Sequence, residues 1–242
     1  LSGSLLNCAF LGILRVHQVM IPAGVGDFSR ELLLVFGVVS IVTAAIFIVG
    51  QNDFKRMLAY SSVEHMGILA LGVGVGGEAV FGAMLHAVNH SLVKSSLFLA
   101  AGNIYTFYRT RAIDCVGGLL KSFPKTGALW MAGLFAITAT PPFGVFISEF
   151  VIFKNSLFGG FFVTSALSLL SIGIIFVAMS RALVGSAFGT LPDNFEFPVH
   201  KRETISMTLA PAALCSLSLF LGLCLPKFLI DALRAVAVNF GG

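Results

Sequence analysis

The stretch RELLLVFGVVSIVTAAIFIVG, residues 30–50, carries no charge after Glu31. A run of about 20 apolar residues is what an α-helix needs to cross about 30 Å of hydrocarbon. Inside a bilayer every backbone N–H and C=O must find its partner within the protein, which leaves only helices and closed barrels as spanning structures. A barrel would show alternating segments of about 10 residues. Here the apolar runs are continuous and recur along the chain, so the sequence predicts an all-α polytopic membrane protein. Composition agrees: 57% of the 242 residues are hydrophobic and 11% are charged, with a mean hydropathy of +0.97. The net charge of +4 is small and dispersed, which argues against a nucleic-acid partner.

About seven transmembrane helices are expected, near 1–20, 29–50, 54–76, 79–107, 126–157, 160–189 and 203–225. The stretch 126–157 is too short for two crossings and a turn, and it holds Pro141-Pro142 and Gly144 near its middle. Proline removes a backbone donor and clashes with the preceding turn. One crossing built from two half-helices, broken near Pro141-Pro142, is therefore expected; such breaks persist only where protein or water covers them. The tail 227–242 is short and at most amphipathic.

Nine basic residues (Lys55, Arg56, Arg109, Arg111, Lys121, Lys125, Arg181, Lys201 and Arg202) fall on one side of this topology, and five (Arg15, Arg30, Lys154, Lys227 and Arg234) on the other. The positive-inside rule places the nine in the cytoplasm. Cys8, Cys115, Cys215 and Cys224 form no CxxC pair and are expected to pack as small core hydrophobes. The chain opens at Leu1 within an apolar run and ends as abruptly, which suggests a piece of a longer protein.

Against this background HAVNHSLVKSS, residues 86–96, stands out. Each four-residue step turns a helix by about 400°, so His86, His90 and Lys94 share one face within about 80° and climb about 12 Å. Titratable groups within the membrane are expensive and usually mark ion or proton pathways, whereas a single polar group more often makes a helix–helix hydrogen bond. Three on one stripe favour a pathway. Asn89, Ser91, Ser95 and Ser96 add hydrogen-bonding groups nearby. On the third span Glu64 and His65 sit near the midplane and point about 100° apart, so one of them is expected to face the fourth span. The bland alternative is a helix–helix ion pair between Glu64 and Lys94. Glu149 follows the helix break, where freed backbone groups and a carboxylate together could hold a proton or cation. Asn7, alone in the first span, reads first as a helix–helix hydrogen bond.

QNDFKRMLAYSSVEHMG, HAVNHSLVKSSLFLAAGNIY, GGLLKSFPKTG and TPPFGVFISEF, in this order, resemble the antiporter-like, proton-pumping membrane subunits. These occur in respiratory complex I, in group 4 NiFe hydrogenases and in multi-subunit Na⁺/H⁺ antiporters. The wording SSVEHMG and VNHSLVKS is most similar to the hydrogenase-4 F-type subunit; complex I members tend to have a small residue where Glu64 stands. The resemblance covers essentially the whole chain. It implies that residues 1–20 are the last span of a first inverted repeat, that about 28–190 is the second repeat, and that 203–225 is one span beyond it. It also implies a hydrophilic axis in which His65, His86, His90 and Lys94 take part and Glu149 stands at the proton exit. Asn7 departs from the pattern: the family often has a lysine or histidine there, and asparagine holds no proton at neutral pH.

The function implied is proton translocation within a redox-driven complex, along Asn7 (through water), His65, His90, Lys94 and Glu149, with Glu64 and His86 beside them. Partners would be other membrane subunits, peripheral redox subunits and the lipid of a prokaryotic cytoplasmic membrane. No cofactor is expected in this chain; Fe–S, NiFe or flavin groups would reside in partner subunits. Two alternatives stand beside this: a subunit of a Na⁺/H⁺ antiporter complex, and a non-conducting scaffold for a peripheral redox enzyme.

Overall fold

The structure is a computed structural model that describes residues 2–190 and 202–241. Leu1 and Lys201, which entered the first span and the charge count, lie outside the described residues. In chain order the helices are α1 (Ser4–Met20), α2 (Gly26–Ile48), α3 (Phe54–Val75), α4 (Glu78–Tyr108), the short α5 (Leu119–Ser122), α6 (Pro124–Ile137), α7 (Gly144–Phe158), α8 (Phe162–Phe188), α9 (Ile205–Leu223) and α10 (Lys227–Val238). The only extended pairing among the described residues is an isolated bridge between Asp53 and Ala112.

Local chemistry sets the boundaries. A π-helical turn, Ile21–Val25, with Gly24 at φ +77°, separates α1 from α2. The Asp53 carboxylate accepts from the backbone N–H groups of Lys55 (2.8 Å) and Arg56 (3.1 Å) and starts α3. Gly76 and Gly77, both at positive φ, turn the chain from α3 into α4. Pro124 opens α6, where proline's missing N–H costs nothing. Glu203, just ahead of α9, accepts from the N–H groups of Lys125 (3.1 Å) and Thr126 (2.6 Å). It thus caps α6 from a distant part of the chain. Glu203→Ala is expected to cost about 0.5–2 kcal/mol, lowering the thermal midpoint by a few degrees in a melt of the purified protein.

The helices are arranged with their polarity inward. Four helical stretches pass as spans by length and hydropathy: Ser4–Ile48, Phe54–Val75, Phe162–Phe188 and Ile205–Leu223. The least apolar of them, α3, is also the most buried. The seven crossings expected are reached only if α1 and α2 are counted separately and α4 and the α6–α7 pair are added. Polar α4 runs through the centre against α3, α6, α7 and α9, while α2, α8 and α9 expose apolar side chains such as Val35, Phe36, Leu170, Val177 and Leu209. With lipid as the solvent, polar groups gather inside and apolar ones face out. The α2–α3 crossing is tight: a Cβ on Gly67 would stand 2.7 Å from the carbonyl oxygen of Gly37, the close backbone approach that small residues allow between membrane helices.

The break expected near Pro141-Pro142 is present. Its halves, α6 and α7, have 14 and 15 residues, each short of a full crossing. The tail forms α10, and its end folds back so that Gly77 N–H donates to the Gly241 carbonyl at 3.0 Å. Cysteine placement differs from expectation. Cys215 is buried, but Cys8, Cys115 and Cys224 are exposed. An apolar small residue satisfies a lipid-facing surface as well as a core, so hydropathy does not tell the two apart.

Candidate functional site

The candidate site lies where α3, α4 and α7 meet. His65, His86, His90, Lys94, Glu64 and Glu149 are all buried, with Glu64 5% and Glu149 8% exposed. The stripe on α4 faces inward as its spacing requires, and α3 meets it with His65. The His65 and His86 ring nitrogens Nδ1 and Nε2 are 3.0 Å apart. His86 Nδ1 lies 3.0 Å from Ser148 Oγ, and His65 Nδ1 lies 3.7 Å from Glu149 Oε1. The His65 and His90 ring centroids are 5.3 Å apart.

The hydrogen bonds fix a direction. Ser148 Oγ donates its single hydrogen to the Val145 carbonyl at 2.8 Å, so toward His86 it can only accept. Neutral His86 therefore carries its proton on Nδ1 and presents a lone pair on Nε2. His65 Nδ1–H in turn donates to that lone pair and leaves its own Nε2 free of partners. Ser148 thus sets the tautomer of two histidines and aims the His65 Nδ1–H between His86 and Glu149. Ser148→Ala removes one hydrogen bond of about 1 kcal/mol. It is expected to shift the His86 tautomer balance roughly fivefold, read from the ¹⁵N chemical shifts of labelled histidine.

Lys94 sits at the other end of the α4 stripe. Its Nζ donates to the Leu58 carbonyl at 2.9 Å and to Ser61 Oγ. No ion pair joins it to Glu64: the described pairs within 4.0 Å are His65–Glu149 and Arg234–Glu78. A cavity of about 570 Å³ reaches Lys94 from beside Ser2, Gly3, Ser62 and Phe98. His90, one helical turn along, has both ring nitrogens unpartnered.

Glu64, offset by about 100° from His65 on α3, is also buried. With Glu149, Thr138 and the α8 residues Ile172, Ile175, Phe176 and Met179 it lines a small cavity of about 10 Å³. Asn7 makes the helix–helix contact read from its position: Nδ2 donates to the Ala87 carbonyl and to Ser91 Oγ, both at 2.8 Å.

The spatial order corrects the order expected from sequence. The sequence order puts Glu149 next after Lys94; in the structure Glu149 lies instead beside His65, with His86 and Glu64 close by, and Lys94 stands at the far end of the stripe beyond His90. The seam runs Lys94, His90, His65, Glu149, with His86 alongside. Sequence reading missed Ser61 and Ser148, single serines in apolar helices that carry no signal by themselves. It also missed His17, buried in α1 and 2.7 Å by Nδ1 from Ser29 Oγ of α2.

A family model described as NADH:quinone oxidoreductase/Mrp antiporter, TM, matches residues 1–175. Among curated proteins, the hydrogenase-4 component F homolog of Methylacidiphilum infernorum is 40% identical over 157 residues, 64% of this chain and 33% of that protein. NAD(P)H-quinone oxidoreductase chain 4 2 of Thermosynechococcus vestitus is 33% identical over 215 residues, 84% of this chain and 40% of that protein. Among solved structures, respiratory complex I from Thermus thermophilus superposes with a TM-score of 0.77 at 26% identity, covering 96% of this chain and 50% of that one. The membrane-bound sulfane sulfur reductase, an archaeal respiratory membrane complex, has the same fold, with a TM-score of 0.86 at 23% identity over 99% of this chain and 48% of that one. The chain thus spans between a third and a half of the length of these relatives.

Proposed function

This chain belongs to the NADH:quinone oxidoreductase/Mrp antiporter transmembrane family, and from that membership we propose that it carries protons across a prokaryotic cytoplasmic membrane as part of a redox-driven complex. The observation that carries this reading is the buried run of titratable groups from Lys94 to Glu149, contributed by three helices and ending at a helix break. Protons enter at Lys94, which the cavity beside Ser2 and Gly3 reaches. They pass His90 and His65, with ordered water closing the gaps that direct hydrogen bonds leave, and depart by Glu149. Charging one site lowers the proton affinity of the next, so displacement down the row is electrostatic. Electron transfer belongs to partner subunits, which would hold the Fe–S, NiFe or flavin groups. Asn7 is tied to α4 and serves as a structural contact beside the seam.

The 40% identity to a hydrogenase-4 component F homolog supports a hydrogenase-type complex over the NADH-driven type. The test is the pair His90→Gln and Lys94→Met in one protein, in inverted membrane vesicles of the intact complex. Proton uptake driven by the redox substrate is expected to fall to background while the variant subunit stays assembled. Unchanged uptake would turn the reading toward a non-conducting scaffold, and sodium-dependent proton movement without a redox substrate toward an antiporter.

A further inference from the structure

We propose that His65, His86 and Glu149 form a binding site for a divalent transition-metal ion of the zinc class, and that an ion lodged there blocks the proton seam. The blockade rests on the proton-carrying reading above; the site does not.

Three ligand atoms from three helices, one from each residue, lie within 4.8 Å of one another, and all three residues are buried. His65 Nδ1 is 3.0 Å from His86 Nε2 and 3.7 Å from Glu149 Oε1. A tetrahedral ion with bonds of about 2.0–2.1 Å holds its ligand atoms roughly 3.3–3.4 Å apart, so small movements of two side chains complete the set. Two imidazoles and one carboxylate, with one position open, form a zinc-type donor set. Imidazole nitrogen selects against sodium, magnesium and calcium, which prefer oxygen.

Two features outside the three ligands point the same way. Ser148 holds the His86 proton on Nδ1 and leaves the Nε2 lone pair aimed at the other two donors; such outer hydrogen bonds orient metal-binding histidines. Glu64 is 5% exposed, makes no ion pair within 4.0 Å among the described residues, and lines the same small cavity as Glu149. A buried dication needs compensating negative charge, and Glu64 with Glu149 supplies two. On binding, the His65 proton moves from Nδ1 to Nε2, which is free of partners. Both His65 and Glu149 are then held by the ion, and neither can pass a proton.

The test uses the full-length protein in detergent, with Cys8, Cys115 and Cys224 replaced by serine to remove the exposed thiols. It is titrated with Co²⁺ and then Zn²⁺. One ion per chain is expected, with the visible bands of four-coordinate cobalt. His86→Gln and Glu149→Gln should each abolish the bands. Ser148→Ala, which leaves all three donors in place and guards against a variant that does not fold, should weaken affinity about 10- to 100-fold. In vesicles, Zn²⁺ should stop redox-driven proton uptake and a chelator should restore it. No ion bound by the parent protein, or equal binding by the parent and both glutamine variants, overturns the site. Zinc bound there with proton uptake undiminished overturns the blockade. Absence of proton uptake before zinc is added counts against the functional reading alone and leaves the cobalt result standing.

Discussion

Glu149→Gln is expected to abolish redox-driven proton release while leaving the subunit assembled in its complex. Glutamine keeps the shape of the side chain, but its amide cannot hold and release a proton. Glu149 is the carboxylate nearest to His65 and follows the break between α6 and α7, where the seam ends. Removing a group that relays a proton costs about 10²- to 10⁴-fold in rate; at the last station of a single file that is indistinguishable from zero in a vesicle assay. Among the described residues Glu149 has one close polar neighbour, His65 at 3.7 Å, and no hydrogen bond, so assembly should not depend on it. Proton release at the parental rate, with the variant present at normal abundance, would remove Glu149 from the exit.

Gly222→Ala is expected to destabilise the protein strongly, and to impair proton release without touching a titratable group. An added Cβ at Gly222 of α9 would lie 1.9 Å from the Pro142 carbonyl oxygen, 2.6 Å from the Phe143 carbonyl carbon and 2.7 Å from the Gly144 nitrogen. All three are backbone atoms of the break and cannot rotate away as a side chain would. Overpacking a core costs about 1–3 kcal/mol, and a clash this close with backbone belongs at the upper end. For a chain of this size that corresponds to a fall of several degrees in the thermal midpoint. Relief requires α9 or the break itself to move, and moving the break displaces α7 and with it Glu149 and Ser148. A melt matching that of the parent would mean that α9 does not press on the break as described.

Much of this was legible in the sequence for definite reasons. The bilayer fixes the length of a crossing, so the apolar runs located the helices of the bundle. Pro141-Pro142 cannot continue a helix, so the break was visible. The four-residue spacing of His86, His90 and Lys94 put them on one face regardless of what that face met. What packs against that face was not legible. His65 rather than Lys94 neighbours Glu149 because α7 crosses α4 near His86, and no spacing within one helix encodes where another crosses it. Ser61 and Ser148, which hold Lys94 and His86, look like any serine in an apolar helix. Cys8 and Cys224 read as core residues in the sequence but are exposed, because lipid and protein interior are equally apolar.

The central claim is that His65 joins the α4 stripe to Glu149. The most direct measurement is the number of protons moved per electron transferred in vesicles of the intact complex, with His65→Gln against the parent. The expected result is a lower ratio, by this subunit's whole share, with electron transfer still running. An unchanged ratio at full electron flux would contradict the account.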